Sequence, residues 1–284
     1  MSEPLVWRHR TGEIVFDRTR VMGVLNVTPD SFSDGGRFLA PAAAVRRGLE
    51  MVEEGADIID IGGESTRPGS DPVPAEEEWR RVSPVVRELA ANLTIPISID
   101  TRKPDIARKA IRAGASIVND VTALQDPEMV PVVASSRVGV VLMHLRGEPK
   151  TMQDRPSYSD VVAEVREFLE ERVRTAASHG IALEAIAVDP GIGFGKDLNH
   201  NLALLRHLDA LAVLGQPIVV GVSRKSFLKR LGAGDEAVDR LAGSVAAATL
   251  AVAHGAHVIR AHDVLETVRA MRVADALLRG SESL

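Results

Sequence analysis

A closed parallel (β/α)8 barrel is the fold class that this 284-residue chain predicts, and three observations carry it. Short β-branched runs alternate with longer stretches of helical apolar spacing. There are eight such units, at roughly 35 residues apiece, a comfortable length for βα repetition. Every run also turns polar at its carboxyl end. In a barrel those ends converge on one face, where barrel enzymes place their chemistry. An open doubly wound sheet uses the same alternation but seldom needs eight units. The length fits one domain over 1–284.

The elements follow in order. A hairpin over 5–16, turning at Thr11-Gly12, reads as a cap on the barrel bottom. Strand 21–25 ends on Asn26 and precedes helix 41–54; strand 58–61 runs into the polar stretch 64–67 and helix 75–91. Strand 97–99 ends at Asp100 before helix 104–113, and strand 116–118 at Asn119 and Asp120 before helix 127–135. Strand 138–143 reaches His144 before helix 159–179, and strand 186–188 reaches Asp189 before helix 199–214. Strand 218–220 leads to 223–225 and helix 237–253, and strand 257–259 to Arg260, His262 and helix 264–278. The connections 28–37 and 63–72 exceed the roughly 2 to 6 residues usual after barrel strands. Solvated insertions would explain them, but polar, Gly/Pro-hinged loops beside the catalytic face favour mobile lids.

Composition narrows the class. Apolar residues make up 45% and charged residues 26%, enough for a core and unlike a disordered chain. A net charge of -5 argues against a nucleic-acid or polybasic membrane surface, so neither partner is expected. With no cysteine, disulfides, thiolate metal sites and thiol nucleophiles are excluded together. Glu3, Arg8 and Arg10 interrupt the amino terminus, which lacks the apolar core of a secretory signal, and a cytoplasmic location is expected. The uncharged stretch 241–259 approaches a membrane span in length, but it is rich in Ala, carries His254 and His257, and breaks at Gly255 where a helix would give way to a strand.

Asp100, Asn119 and Asp189, from three strand ends, would line one pocket and suit a nitrogen-rich ring with an amidine-like edge. Helix capping is the plain alternative for each, and a glycosidase-type carboxylate pair is another. Arg67, Lys225, Arg260 and His262 bring positive charge or donors to the same face, fitting a phosphate or pyrophosphate; internal pairing with Asp60, Glu64 or Asp263 explains them equally well. Asn26 and Asp34 offer oxygens to a magnesium ion that keeps most of its waters. The alternating Gly191, Gly193 and Gly195 are no P-loop, since the Lys-Ser/Thr ending is missing, and turn formation accounts for them. Phe194, read as exposed in that loop, suits stacking on a flat ligand. His9, His179, His200, His207 and His254 read as surface or helix-packing residues, while His144 stays open. Helix 237–253 is small and apolar on nearly all faces, which fits either a homodimer interface or tight packing on its own barrel.

Two segments, Leu25-Asn26-Val27-Thr28-Pro29-Asp30-Ser31-Phe32-Ser33-Asp34-Gly35-Gly36 and Asp60-Ile61-Gly62-Gly63-Glu64-Ser65-Thr66-Arg67-Pro68-Gly69, resemble the fingerprints of the dihydropteroate synthase family. Five more agree: Ser98-Ile99-Asp100-Thr101, Val118-Asn119-Asp120, Asp189 through Lys196, Ser223-Arg224-Lys225-Ser226 and Arg260-Ala261-His262-Asp263. The resemblance implies a barrel enzyme that joins 6-hydroxymethyl-7,8-dihydropterin pyrophosphate to p-aminobenzoate and releases pyrophosphate. It implies that Asp100, Asn119, Asp189 and Lys225 hold the pterin, with Met143 on its face. Asn26, Arg67, Arg260 and His262 would hold the pyrophosphate, with Mg2+ near Asn26 and Asp34. Phe32, Thr66, Pro68, Phe194 and Ser226 would shape an aminobenzoate site that also takes sulfonamides. Asp100, Lys225 and Arg67 would be catalytic, and the protein a homodimer. The segment Leu145-Arg146-Gly147-Glu148-Pro149 departs from the uncharged stretch more usual in the family. A pterin-binding methyltransferase domain is the alternative, although it gives no reason to keep Arg67, Arg260 and His262 as a pyrophosphate clamp.

Overall fold

The computed structural model describes residues 4–28, 36–65, 70–148 and 150–280. Strands β1 (Val6–His9) and β2 (Gly12–Val15) form the expected antiparallel hairpin, with Val6 opposite Val15 and His9 opposite Gly12. The barrel strands are β3 (Arg20–Asn26), β4 (Ile58–Gly62), β5 (Ile97–Asp100), β6 (Ile117–Asp120), β7 (Gly139–Met143), β8 (Ile186–Asp189), β9 (Val219–Gly221) and β10 (Val258–Ala261). They pair in parallel in the order β8-β7-β6-β5-β4-β3-β10-β9. The Val188–Ile218 bridge closes the ring, with the Val188 N–H donating to Pro217 O at 2.9 Å. Closure with eight strands settles the choice between barrel and open sheet.

Around the strands lie α1 (Gly36–Glu53), α2 (Ala75–Asn92), α3 (Pro104–Ala113), α4 (Met129–Ser136), α5 (Val161–Ser178), α6 (Leu198–Arg206), α7 (Ser226–Arg230), α8 (Leu241–Ala253) and α9 (Val264–Arg279). Three of these depart from the sequence pattern. The helix predicted over 199–214 is α6 followed by a 3-10 segment, Leu208–Leu214, because the His207 backbone (φ -120, ψ 36) leaves the helical region. The start of the helix predicted over 237–253 is likewise a separate 3-10 turn, Val238–Arg240. Helix α7 has only five residues, too few for a 3.6-residue period to register. Among the described residues no helix is long and apolar enough to cross a membrane, so 241–259 is a helix and a strand, as read.

Two cores result. The larger lies between the outer faces of the strands and the helices. The smaller fills the barrel floor, where Trp7, Ile14 and Phe16 of the hairpin pack against the inward side chains Met22, Ile58, Ile117, Val141, Ala187, Val219 and Val258. Trp7 is fully buried and its indole N–H donates to Ala185 O at 3.0 Å. Side chains alternate across a strand, so residues two positions further along also point inward but nearer the mouth. These are Val24, Asp60, Asn119, Met143, Asp189, Gly221 and Arg260, joined by Asp100 two residues beyond Ser98. The apolar floor thus fixes the register of a polar upper layer.

Candidate active site

That upper layer is buried and charged. Asp100, Asn119, Met143 and Asp189 are each less than a tenth exposed. Asp60 and Arg260 join them from β4 and β10: Arg260 Nε donates to Asp60 Oδ2 at 2.7 Å, and its Nη2 donates to Asp100 Oδ2 at 2.8 Å. Asn119 Nδ2 donates to the same Asp60 oxygen at 3.1 Å. Asp100 Oδ1 and Asp60 Oδ1 are buried without a hydrogen-bond partner among the described residues. Buried carboxylate oxygens are rarely left so, and a ligand with N–H donors is one way to satisfy them.

Helix capping does not account for the three strand-end residues. Lys103, Glu128 and Asp197 occupy the caps of α3, α4 and α6. The neighbouring Asp120 is the turn former, accepting from Thr122 N, Thr122 Oγ1 and Leu124 N at 2.7 to 2.8 Å. Asp189 Oδ1 accepts from Gly191 N at 2.7 Å, which ties the carboxylate to the glycine loop.

Internal pairing explains some of the cations. Arg260 takes Asp60, as that alternative supposed, while Asp263 takes Arg224 and Glu64 takes Lys103 at 3.1 Å. Lys225 donates to Ile192 O and lies 4.5 Å from the centroid of the Phe194 ring. Phe194 is therefore half-buried beneath a cation, not freely exposed as its loop position suggested. His262 meets Ser223 Oγ through both its backbone N–H, at 3.2 Å, and its ring Nδ1, at 3.1 Å. Ser226 is exposed at the first position of α7. Asn26 ends β3 half-exposed, its Oδ1 3.7 Å from where a Cβ on Gly62 would stand. Phe32, Asp34, Thr66, Arg67 and Pro68 lie outside the described residues.

Burial and neighbouring charge set the protonation states. Burial raises Asp100 to about 7; the Arg260 charge opposes this and the Asp60 charge adds to it. Burial lowers Lys225 to about 8, with Asp189 opposing, and burial likewise raises Asp189. For Arg260, burial disfavours the charge, but Asp60 and Asp100 together hold it firmly protonated.

The glycine loop is more than a turn. Gly191 (φ +67) passes so close to β7 that a Cβ would stand 1.9 Å from His144 O, and at Gly195 (φ +61) one would stand 2.2 Å from Arg146 O. Beneath the loop, buried Lys196 donates to His144 Nδ1 at 2.9 Å and Phe194 O at 3.0 Å. Burial first, then the Lys196 charge, lowers His144 to about 3, leaving it a neutral acceptor. His144, left open by the sequence, is thus a loop anchor. The unusual 145–149 segment contributes surface pairs: Arg146 meets Glu164 at 3.1 Å and stacks 4.2 Å from the Tyr158 ring, and Glu148 meets Arg102 at 3.4 Å.

The profile of the family described as pterin binding enzyme matches residues 22–262, from β3 to just beyond β10. The dihydropteroate synthase of Escherichia coli (strain K12) is 47% identical over 264 residues, 93% of this chain and 93% of that protein. The chain belongs to the dihydropteroate synthase family. Among solved dihydropteroate synthases, that of Xanthomonas albilineans with 4-aminobenzoic acid has a TM-score of 0.92 and 48% identity, covering 97% of this chain and 99% of the other. That of Yersinia pestis with a sulfonamide drug has a TM-score of 0.91 and 42% identity, covering 96% and 98%.

Within this dihydropteroate synthase fold, Lys196, Asn201 and Asp60 have contacts that their places in the sequence do not reveal. Lys196 and Asn201 clamp the glycine loop, Asn201 Oδ1 accepting from Gly193 N at 2.6 Å. The sequence offers Asp60 only as an ion-pair partner. The available signal was its place one alternation before Gly62 in an otherwise apolar strand, where a charge needs a buried partner.

Proposed function

We propose that the chain acts as its family name states, condensing 6-hydroxymethyl-7,8-dihydropterin pyrophosphate with p-aminobenzoate to give 7,8-dihydropteroate and pyrophosphate. One observation carries the reading at the level of the site: the unpartnered buried oxygen of Asp100 beside Asn119 and Asp189. The amidine-like edge of a pterin supplies N–H donors to such carboxylates, and the Asn119 amide can donate and accept. Met143, in register with Asp189, provides an apolar face for the ring, and Lys225 a cation at its rim.

The attacking aryl amine keeps its lone pair at neutral pH, so no strong base is needed. The difficulty is the departure of a charged diphosphate. Arg260, His262 and Asn26 stand at the mouth to receive it, and the resemblance of its motif adds Arg67. The ring shares the positive charge left on the methylene carbon, and ionised Asp100 favours that sharing, so the displacement is largely dissociative. Phe194 and Ser226 lie on the aminobenzoate side, where a sulfonamide competes, and the resemblance of the motifs adds Phe32, Thr66 and Pro68.

Magnesium fits this arrangement as an ion carried chiefly by substrate oxygens and water. The Asn26 amide oxygen is a hard donor at the rim, and the pairing with Asp34 rests on the resemblance. When bound, it would neutralise charge on the leaving diphosphate. The reading includes a homodimer through α8 and α9, and the cysteine-free composition suits a reducing, cytoplasmic setting. The test is a coupled assay of pyrophosphate release, with and without magnesium and p-aminobenzoate. Release that depends on both is expected. A methyltransferase domain, or a barrel that only binds pterin, would release none.

A further inference from the structure

Asp60 faces the barrel interior from β4, and the reaction gives it nothing to do. It is fully buried on β4, in register with Ser98 of β5. Its Oδ2 accepts from two side chains that the proposed reaction uses, Arg260 (Nε, 2.7 Å) and Asn119 (Nδ2, 3.1 Å). Arg260 places its Nη2 on Asp100 at 2.8 Å, so a single guanidinium spans two carboxylates from neighbouring strands.

A purely stabilising ion pair would look different. A guanidinium matches one carboxylate with two parallel bonds, and that fork satisfies both oxygens. Here the fork is divided, and Asp60 Oδ1 and Asp100 Oδ1 both stay buried and unpartnered among the described residues. Leaving buried acceptors unsatisfied costs stability, which a role in stability alone does not explain.

We propose that Asp60 is a positioning residue: it holds Arg260 by Nε and Asn119 by its amide. Asp100 is thereby left an open oxygen for the pterin edge, and the Nη end of Arg260 stays aimed at the mouth. This deepens the functional reading above and rests on it. With the Nε end anchored, the guanidinium can yield Asp100 to the pterin and turn toward the diphosphate without leaving the barrel. The charged groups acting on Asp100 are Arg260 from β10, Asp60 from β4, Glu78 from α2 and Asp120 from β6, and Asp100 in turn acts on Lys225 at the cap of α7.

The test compares wild type, Asp60→Asn, Arg260→Gln and the double variant. In Asp60→Asn the anchor loses its charge, and Arg260 can close as a fork on Asp100. The KM for the dihydropterin diphosphate should rise at least tenfold while that for p-aminobenzoate stays within twofold. The acid limb of kcat/KM should move to lower pH, since Asp60 no longer opposes ionisation of Asp100. Calorimetry should show weaker binding of 6-hydroxymethylpterin, a probe without diphosphate. Because Asp60 acts largely through Arg260, adding Asp60→Asn to Arg260→Gln should change kcat/KM by less than Asp60→Asn changes it in the wild type, the remainder passing through Asn119. Effects that multiply in the double variant, or equal losses for both substrates with an unmoved pH profile, would overturn the proposal.

Should Asp60→Asn not fold, Arg260→Lys carries the test. An ammonium reaches one carboxylate instead of spanning two, so the same split between substrates is expected, and its absence overturns the proposal. A wild-type enzyme that binds 6-hydroxymethylpterin but releases no pyrophosphate would sink the functional reading instead. The calorimetric comparison would then decide the role of Asp60.

Discussion

Asp100 shows most directly how surroundings set chemistry. An exposed aspartate ionises near 4, whereas burial beside Asp60 pushes this one up to about 7 despite Arg260. Lys225 moves the other way, down to about 8. The form that accepts the pterin is ionised Asp100 with protonated Lys225. Below about pH 7 the first is lost, and above about pH 8 the second. The kcat/KM for the pterin substrate should therefore trace a narrow bell between those limits. Asp100→Asn should abolish the acid limb and lower kcat by roughly 10²-fold, within the range expected for loss of one preorganised electrostatic group. Its effect on pterin affinity should be smaller, and steady-state rates set beside calorimetric binding separate the two. An unchanged rate would remove Asp100 from the mechanism. Legibility ended at the same residue. That Asp100, Asn119 and Asp189 share a mouth follows from alternation and strand count. That Arg260 bridges Asp100 to Asp60 does not, because which cation meets which anion across a barrel depends on side-chain reach between strands distant in sequence.

Among the elements, the amino-terminal hairpin is the one whose contribution is easiest to measure. It replaces solvent at the barrel floor with Trp7, Ile14 and Phe16, and so completes a core that the strands alone leave open. Trp7→Ala should destabilise the fold by about 3–5 kcal/mol, the usual range for a buried aromatic. Denaturant unfolding would report this, with little change in the KM of either substrate in protein that remains folded, because the site is at the opposite end. The hairpin was legible from its turn and alternation. Helix α7 and the 3-10 turns were not, since short elements are fixed by tertiary contacts. The glycine loop was half legible: its glycines suggest a turn, but only the structure brings His144 O, just past β7, within 1.9 Å of where a Cβ at Gly191 would stand.

For the whole molecule, α8 and α9 pack together and carry Leu250, Val273 and Leu277 as exposed apolar side chains. The helix-wide apolarity of 241–253 agrees with a second covered face. At micromolar concentration the mass in solution should be about twice 30.4 kDa, and Leu250→Glu with Leu277→Glu should reduce it to one chain. A monomeric wild type would remove the dimer from the reading.

The sequence by itself determined the alternation of eight strands and helices, the hairpin at the barrel bottom, and which strand ends turn polar. All three depend on periodicity and residue type along a local stretch of chain. The tertiary structure decided how those polar ends are wired. It split Arg260 between Asp60 and Asp100, seated Lys225 over Phe194, and buried Lys196 against His144. Burial and charge proximity are properties of three-dimensional neighbours, and in a closed barrel those neighbours come from different βα units of the chain.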